Sequence, residues 1–152
     1  MTFVTAQLAM QVAILSTAVA HTDTYRDAYE QAHTRQQPLL VLVGAESCSD
    51  CQAMKVGQLP ALKQDGSLSE IAYAAVDRDK HPKLAELLME GEAVPQLVLY
   101  THVGDEWRRS QINGTSSTDA VRQFIEREVS HAKKLEASAA QQMEWRSSTF
   151  SS

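Results

Sequence analysis

Leu39 to Val43 is the stretch that most limits what this chain can fold into. It reads LLVLV, five consecutive apolar residues, partly β-branched, with Pro38 before it and Gly44 after it. A strand with one wet face alternates apolar and polar residues; an unbroken apolar run must be covered on both faces. The run therefore predicts an interior strand with a layer of other elements on each side.

The flanking pattern supplies those layers. From Thr22 to Arg35, Tyr25, Ala28, Tyr29 and Ala32 recur at spacings of three and four, the period of a helix that Thr22 or Asp23 can cap. Gly44 to Ser47 turns the chain, and Cys48 opens a second helix through Met54 and Leu59, which Pro60 and Gly66 break or end. Ile71 to Val76 reads as a strand, Pro82 to Met89 as a short helix stopped by Gly91, and PQLVLY from Pro95 as another strand. Val103-Gly104-Asp105 suits a hairpin turn into a strand over Glu106 to Ile112, which Asn113-Gly114 ends. Ser116 or Ser117 then caps a last helix with Ala120, Val121, Phe124, Ile125 and Val129 on its inner face. Strand, crossover helix and strand imply parallel pairing, and the hairpin adds antiparallel strands. The expected fold is a three-layer α/β sandwich: a mixed central sheet of four to five strands with helices on both faces.

The chain has 152 residues, enough for one domain, which these elements place at 22–130. Residues 131–152 read as a helical extension ending in a flexible Ser/Thr-rich tail. Residues 1–20 carry no charged side chain, are mostly small and apolar from Leu8, and end in Ala18-Val19-Ala20. That pattern resembles an export signal, with an N-terminal helix packed on a cytoplasmic domain as the alternative. The run is too short and too polar for a stable membrane span. A formal charge of −5 with no basic stripe argues against nucleic acid as a partner. A monomer is expected.

The only two cysteines, Cys48 and Cys51, lie in the sequence ESCSDC. They are too few for a disulfide scaffold or a self-contained zinc site, and the five histidines are scattered away from them. At the start of a helix, unsatisfied N–H groups and the positive end of the dipole favour a thiolate on the first cysteine. The i, i+3 spacing brings the second sulfur to the same face. Cys48 can then attack a partner disulfide and Cys51 can resolve the mixed disulfide, or the reverse. An inert or idle local disulfide is the bland alternative. Asp50, in the first turn, complements the dipole. Its carboxylate, with that of Glu46, also disfavours a Cys48 thiolate, which tunes the pair toward reduction. Ser49, Asp50 and Glu46 are thus candidate tuning residues.

With these residues in place, the chain resembles the thioredoxin superfamily over about Tyr25 to Glu128. The resemblance rests on PLLVLVGAESCSDCQAMK, the strand AYAAVD, Val94-Pro95 opening a strand, and Asn113-Gly114 before the last helix. It implies a cis proline at Pro95 that shields the cysteines, and a Val94 backbone that pairs with a bound polypeptide. It also implies a thiol–disulfide oxidoreductase acting on disulfide-containing or thiol proteins, with a separate electron donor and no organic cofactor. The departures are specific. Ser47 stands where the family has Trp, Ser49-Asp50 where it has Gly-Pro, Leu42 at its buried acid and Tyr73 at the accompanying lysine. Gln96, where Thr is common, is expected to alter the rim of the substrate groove. These departures point to a specialised partner. A non-catalytic binding module and thiolate-based metal handling are the alternatives.

Overall fold

A computed structural model describes residues 24–149, so the reading of residues 1–20 lies outside the described residues. The elements run α1 (Tyr25–Arg35), β1 (Leu39–Gly44), α2 (Ser49–Ala53), α3 (Leu59–Gln64), β2 (Ala72–Asp77), α4 (Pro82–Leu88), β3 (Gln96–Val103), β4 (Glu106–Asn113) and α5 (Thr118–Thr149). The four strands form one sheet in the order β2-β1-β3-β4. β1 pairs parallel with β2 and antiparallel with β3, and β3 pairs antiparallel with β4. This is the expected mixed sheet, with four strands.

All six residues of β1 are buried. Alternation then sends its side chains into two separate cores. Leu40 and Leu42 pack with Met54, Leu59 and Leu62 from the second-helix region and with Val121, Phe124 and Ile125 of α5. Leu39, Val41 and Val43 pack with Ala28 and Ala32 of α1 and Ala85 and Leu88 of α4. Small residues on α1 and on β2 (Ala72, Ala74) let these helices lie close to the sheet. Each buried Leu or Val here is worth roughly 1.5–3 kcal/mol, so the two cores together hold β1 in a unique register.

Two boundaries differ from the sequence reading. The cap of α1 is Thr24, whose hydroxyl accepts from the Asp27 N–H at 3.4 Å, one or two residues after the expected Asp23 or Thr22. Pro60 does not break the second helix. Proline removes an N–H and crowds the carbonyl four residues back, so the backbone widens into a π-helical stretch over Met54–Gln58 and resumes as α3. Met54, Leu59 and Leu62 keep facing one core through the widening, and their burial keeps the helix going. Ser117, one of the two expected caps, opens α5, its hydroxyl accepting from the Ala120 N–H at 3.1 Å. α5 then runs to Thr149, so the Ala/Lys/Glu/Gln stretch does continue it and the backbone of the Ser/Thr end is helical that far. The hairpin between β3 and β4 closes in two residues, with Gly104 at φ 62° taking the conformation other residues avoid. No helix of the described residues is long and apolar enough to cross a membrane.

Asp65, which ends α3, ties that helix to α5 through Arg122 at 2.8 Å. Hydrogen bonds from Ser67 and then from Arg122 hold its carboxyl down to about 2. A carboxyl depressed in the folded state stabilises the fold above its ordinary value and stops doing so as pH falls through the depressed one. The stability difference between wild type and Arg122→Ala should therefore be present at neutral pH and shrink between about pH 4 and pH 2. Chemical denaturation across that window, with carboxyl titration by NMR showing Asp65 rising toward 3.8 in the variant, checks it.

Candidate active site

The end of β1 sets the site. After Gly44, Ala45 is buried and Glu46 and Ser47 are exposed, so the chain surfaces before α2 begins. Cys48 is the N-cap of α2 and Cys51 lies one turn in. The two sulfurs form a disulfide, with the Cα atoms 5.2 Å apart. Cys48 is half-buried, while Cys51 is 3% exposed. The Cys51 N–H donates to the Cys48 sulfur at 3.1 Å. That contact satisfies one of the orphan donors of the helix start and points partial positive charge at the outer sulfur.

Gly44 explains why the inner sulfur sits where it does. A Cβ on Gly44 would lie 2.9 Å from the Cys51 Cβ and 3.1 Å from its sulfur. The floor of the site is thus bare backbone, and the second cysteine packs directly on it. Glycine in a strand often marks such a close approach; Gly44 belongs to β1 rather than to the turn the sequence pattern suggests. Beneath the disulfide the layer is apolar. Leu42 is buried in the core and faces Ala75 and Leu97 in the neighbouring strands.

Val94-Pro95 closes the site from the β3 side. Gln96 pairs with Val43 in antiparallel register, which carries Pro95 to the level of Gly44 and hence of Cys51. The Val94–Pro95 peptide bond is cis. Pro95 is buried and its carbonyl accepts from the Gly114 N–H at 2.8 Å. Among the described residues, no hydrogen bond closes on the backbone N–H or C=O of Val94. The Val94 backbone, at a bend just before β3, is therefore left open at the level of the disulfide.

The acidic residues around the pair each have a partner. The Thr115 hydroxyl donates to the Asp50 carboxylate at 2.5 Å, linking α2 to the turn before α5. Glu46 pairs with Lys80 at 2.8 Å, and its hydrogen bond and charge hold the Lys80 ammonium above the usual lysine value. The charge of Glu46 is thus partly balanced at the surface, which weakens its expected effect on Cys48. Ser49 is exposed in the first turn of α2. Thr115 and Lys80 carried no signal in the sequence, because both reach the site from loops distant in the chain.

Gln96 is not on the rim, contrary to expectation. It is 0% exposed and points to the α1/α4 side of the sheet. The first residue of β3 alternates away from the groove that Pro95 opens, so the side chain falls under the loop before it. A separate apolar concavity of about 330 Å³, lined by Tyr25, Tyr29, Leu84, Leu87, Tyr100 and Trp107 among others, lies toward the opposite end of β1 from the cysteines.

A sequence-family model described as thioredoxin-like matches residues 20–101, more than half of the chain. The chain belongs to the thioredoxin-like family. Among solved structures, thioredoxin-like relatives by fold include the thioredoxin of Trichomonas vaginalis, at 21% identity and a TM-score of 0.56 over 68% of this chain and 90% of that one. The Fasciola hepatica thioredoxin is similar at 21% identity and a TM-score of 0.55, covering 69% and 94%. The Thermus thermophilus thioredoxin is similar at 20% identity and 0.56, covering 68% and 82%. No curated protein matches the sequence.

Gly44→Ala should perturb this site directly. The added methyl must displace Cys51, at a cost of about 1–3 kcal/mol for overpacking. Denaturant unfolding of the oxidised form, together with the redox equilibrium of the pair against a glutathione buffer, checks it; unchanged values for both would mean the strand end yields freely.

Proposed function

We propose that this protein is a thiol–disulfide oxidoreductase that acts on protein partners, working by preference in the reducing direction. The observation that carries the reading is the half-buried Cys48 joined to a buried Cys51 at a helix start, beside the open backbone edge of Val94. In the reduced form, the Cys48 thiolate attacks one sulfur of a partner disulfide. That S–S bond breaks, a mixed disulfide forms, and the other partner sulfur leaves as a thiolate and takes a proton. Cys51 then attacks the Cys48 sulfur and expels the second partner thiol. Two electrons and two protons have passed to the partner, and Cys48–Cys51 is oxidised. A dithiol donor reverses the last state by the same exchange. The dithiol carries both electrons itself, so the reading needs no organic cofactor.

Roles follow from burial. Cys48 has the accessible sulfur and an N–H aimed at it, which suits the nucleophile. Cys51 is sheltered by Gly44 and suits the resolving group. The edge at Val94 is suited to pairing with an extended stretch of the partner, with Pro95 packed behind it. Asp50 is held by Thr115 within the first turn, where its carboxylate favours the helix start but opposes a negative charge on Cys48. That opposition destabilises the reduced thiolate form and makes the pair more reducing.

Two measurements test the reading. Cys51→Ser should accumulate partners as mixed disulfides on Cys48, released by dithiothreitol, whereas Cys48→Ser should trap none. A wild type that fails to reduce any disulfide, with a Cys51→Ser variant that still traps nothing, would leave a binding module as the better description. In Asp50→Asn, the pH profile of Cys48 alkylation should move to lower pH. A profile that stays put assigns Asp50 to helix initiation alone.

A further inference from the structure

We propose that Gln96 is a positioning residue for the partner-binding edge, and that it acts by fixing the loop between α4 and β3 in one conformation. This inference rests on the oxidoreductase reading and specifies how its binding edge is built.

The loop, residues 89–95, has no ladder of its own, and its backbone must find partners elsewhere. Gln96 supplies three. Its side-chain oxygen accepts from the Glu90 N–H at 3.0 Å. Its side-chain nitrogen donates to the Glu90 carbonyl and to the Ala93 carbonyl, each at 2.9 Å. Both N–H protons of the amide are used, and the partners fix which end is oxygen and which nitrogen. The Ala93 carbonyl immediately precedes Val94, so its orientation sets the peptide plane that carries the Val94 N–H.

Other contacts hold the loop from outside and do not replace Gln96. Arg78 donates to the Glu92 carbonyl at 2.6 Å. Arg109 pairs with the Glu90 carboxylate and donates to the Leu88 carbonyl at 2.8 Å, and Gln111 donates to the same carboxylate at 3.2 Å. Those contacts reach the loop from exposed or partly exposed side chains. Gln96 alone among these residues is fully buried, so it holds the loop from the protein side through part-buried bonds, and its loss takes these partners from the Glu90 and Ala93 backbone groups. A buried glutamine with all its protons committed to one loop is a poor choice for packing and a good one for setting backbone geometry. Methionine has almost the same length and shape and none of the donors.

The test compares two substrates. Insulin has to present a stretch of chain to the edge, whereas dithiobis(nitrobenzoate) needs only access to Cys48. With dithiothreitol as reductant, Gln96→Met should raise KM for insulin about tenfold and leave kcat near wild type. Its rate with dithiobis(nitrobenzoate) should not change. A folded Gln96→Met enzyme with wild-type KM for insulin overturns the proposal, as does an equal loss on both substrates, which would make Gln96 purely structural. If that variant does not fold, Gln96→Glu keeps the acceptor for Glu90 and loses the paired donors, and the same split is required of it. A wild type inert toward both substrates overturns the oxidoreductase reading and this inference with it. A wild type active only on dithiobis(nitrobenzoate) overturns the protein-partner edge while leaving the dithiol chemistry standing.

Discussion

The site depends on a strand that water cannot reach from either side. β1 sits between two cores, with Leu40 and Leu42 in one and Leu39, Val41 and Val43 in the other. Slipping it by one residue would exchange the two sets of side chains between helix layers of different shape: small alanines on α1 and β2 on one side, Leu, Met and Phe on the other. Register is therefore fixed, and so is the place where the strand ends. Gly44 stops at the level where Cys51 packs on it and where Pro95 comes alongside. The cysteine pair is positioned by the strand end and the helix start together.

That arrangement moves the polar chemistry of the site from its floor to its surroundings. Leu42 makes the layer under the disulfide apolar, and the acids near it are carried by the surface turn and the first helical turn. Each is answered from a loop: Glu46 by Lys80, Asp50 by Thr115. The third segment, the loop before β3, is held from within the protein by Gln96. The surface turn, the first helical turn and this loop thus meet around the cysteines, and each is tied by hydrogen bonds or an ion pair from a distant segment or from beneath.

The layers of this fold were legible because they depend on near neighbours in sequence. The LLVLV run, the three-and-four spacing of Tyr25, Ala28, Tyr29 and Ala32, and the Gly104 turn each follow from local periodicity or backbone sterics. Pro60 shows where that reasoning stops. Local propensity says the helix ends there, but burial of Leu59 and Leu62 outweighs one lost hydrogen bond, and a widened turn absorbs the proline. Gln96 shows the same limit at the site. Its side chain could face the groove or the loop, and the alternation of β3, set by pairing with Val43, put it under the loop.

By itself, the sequence determined that a C-x-x-C begins a helix after a doubly buried strand, because both features are written in consecutive residues. It also fixed which acid sits between the cysteines. The tertiary structure decided which sulfur is sheltered, what each acid is paired with, and what ties the loop before β3. Those outcomes depend on side chains such as Thr115, Lys80 and Gln96 arriving from distant segments, and only the packing of two cores around β1 determines where those segments go.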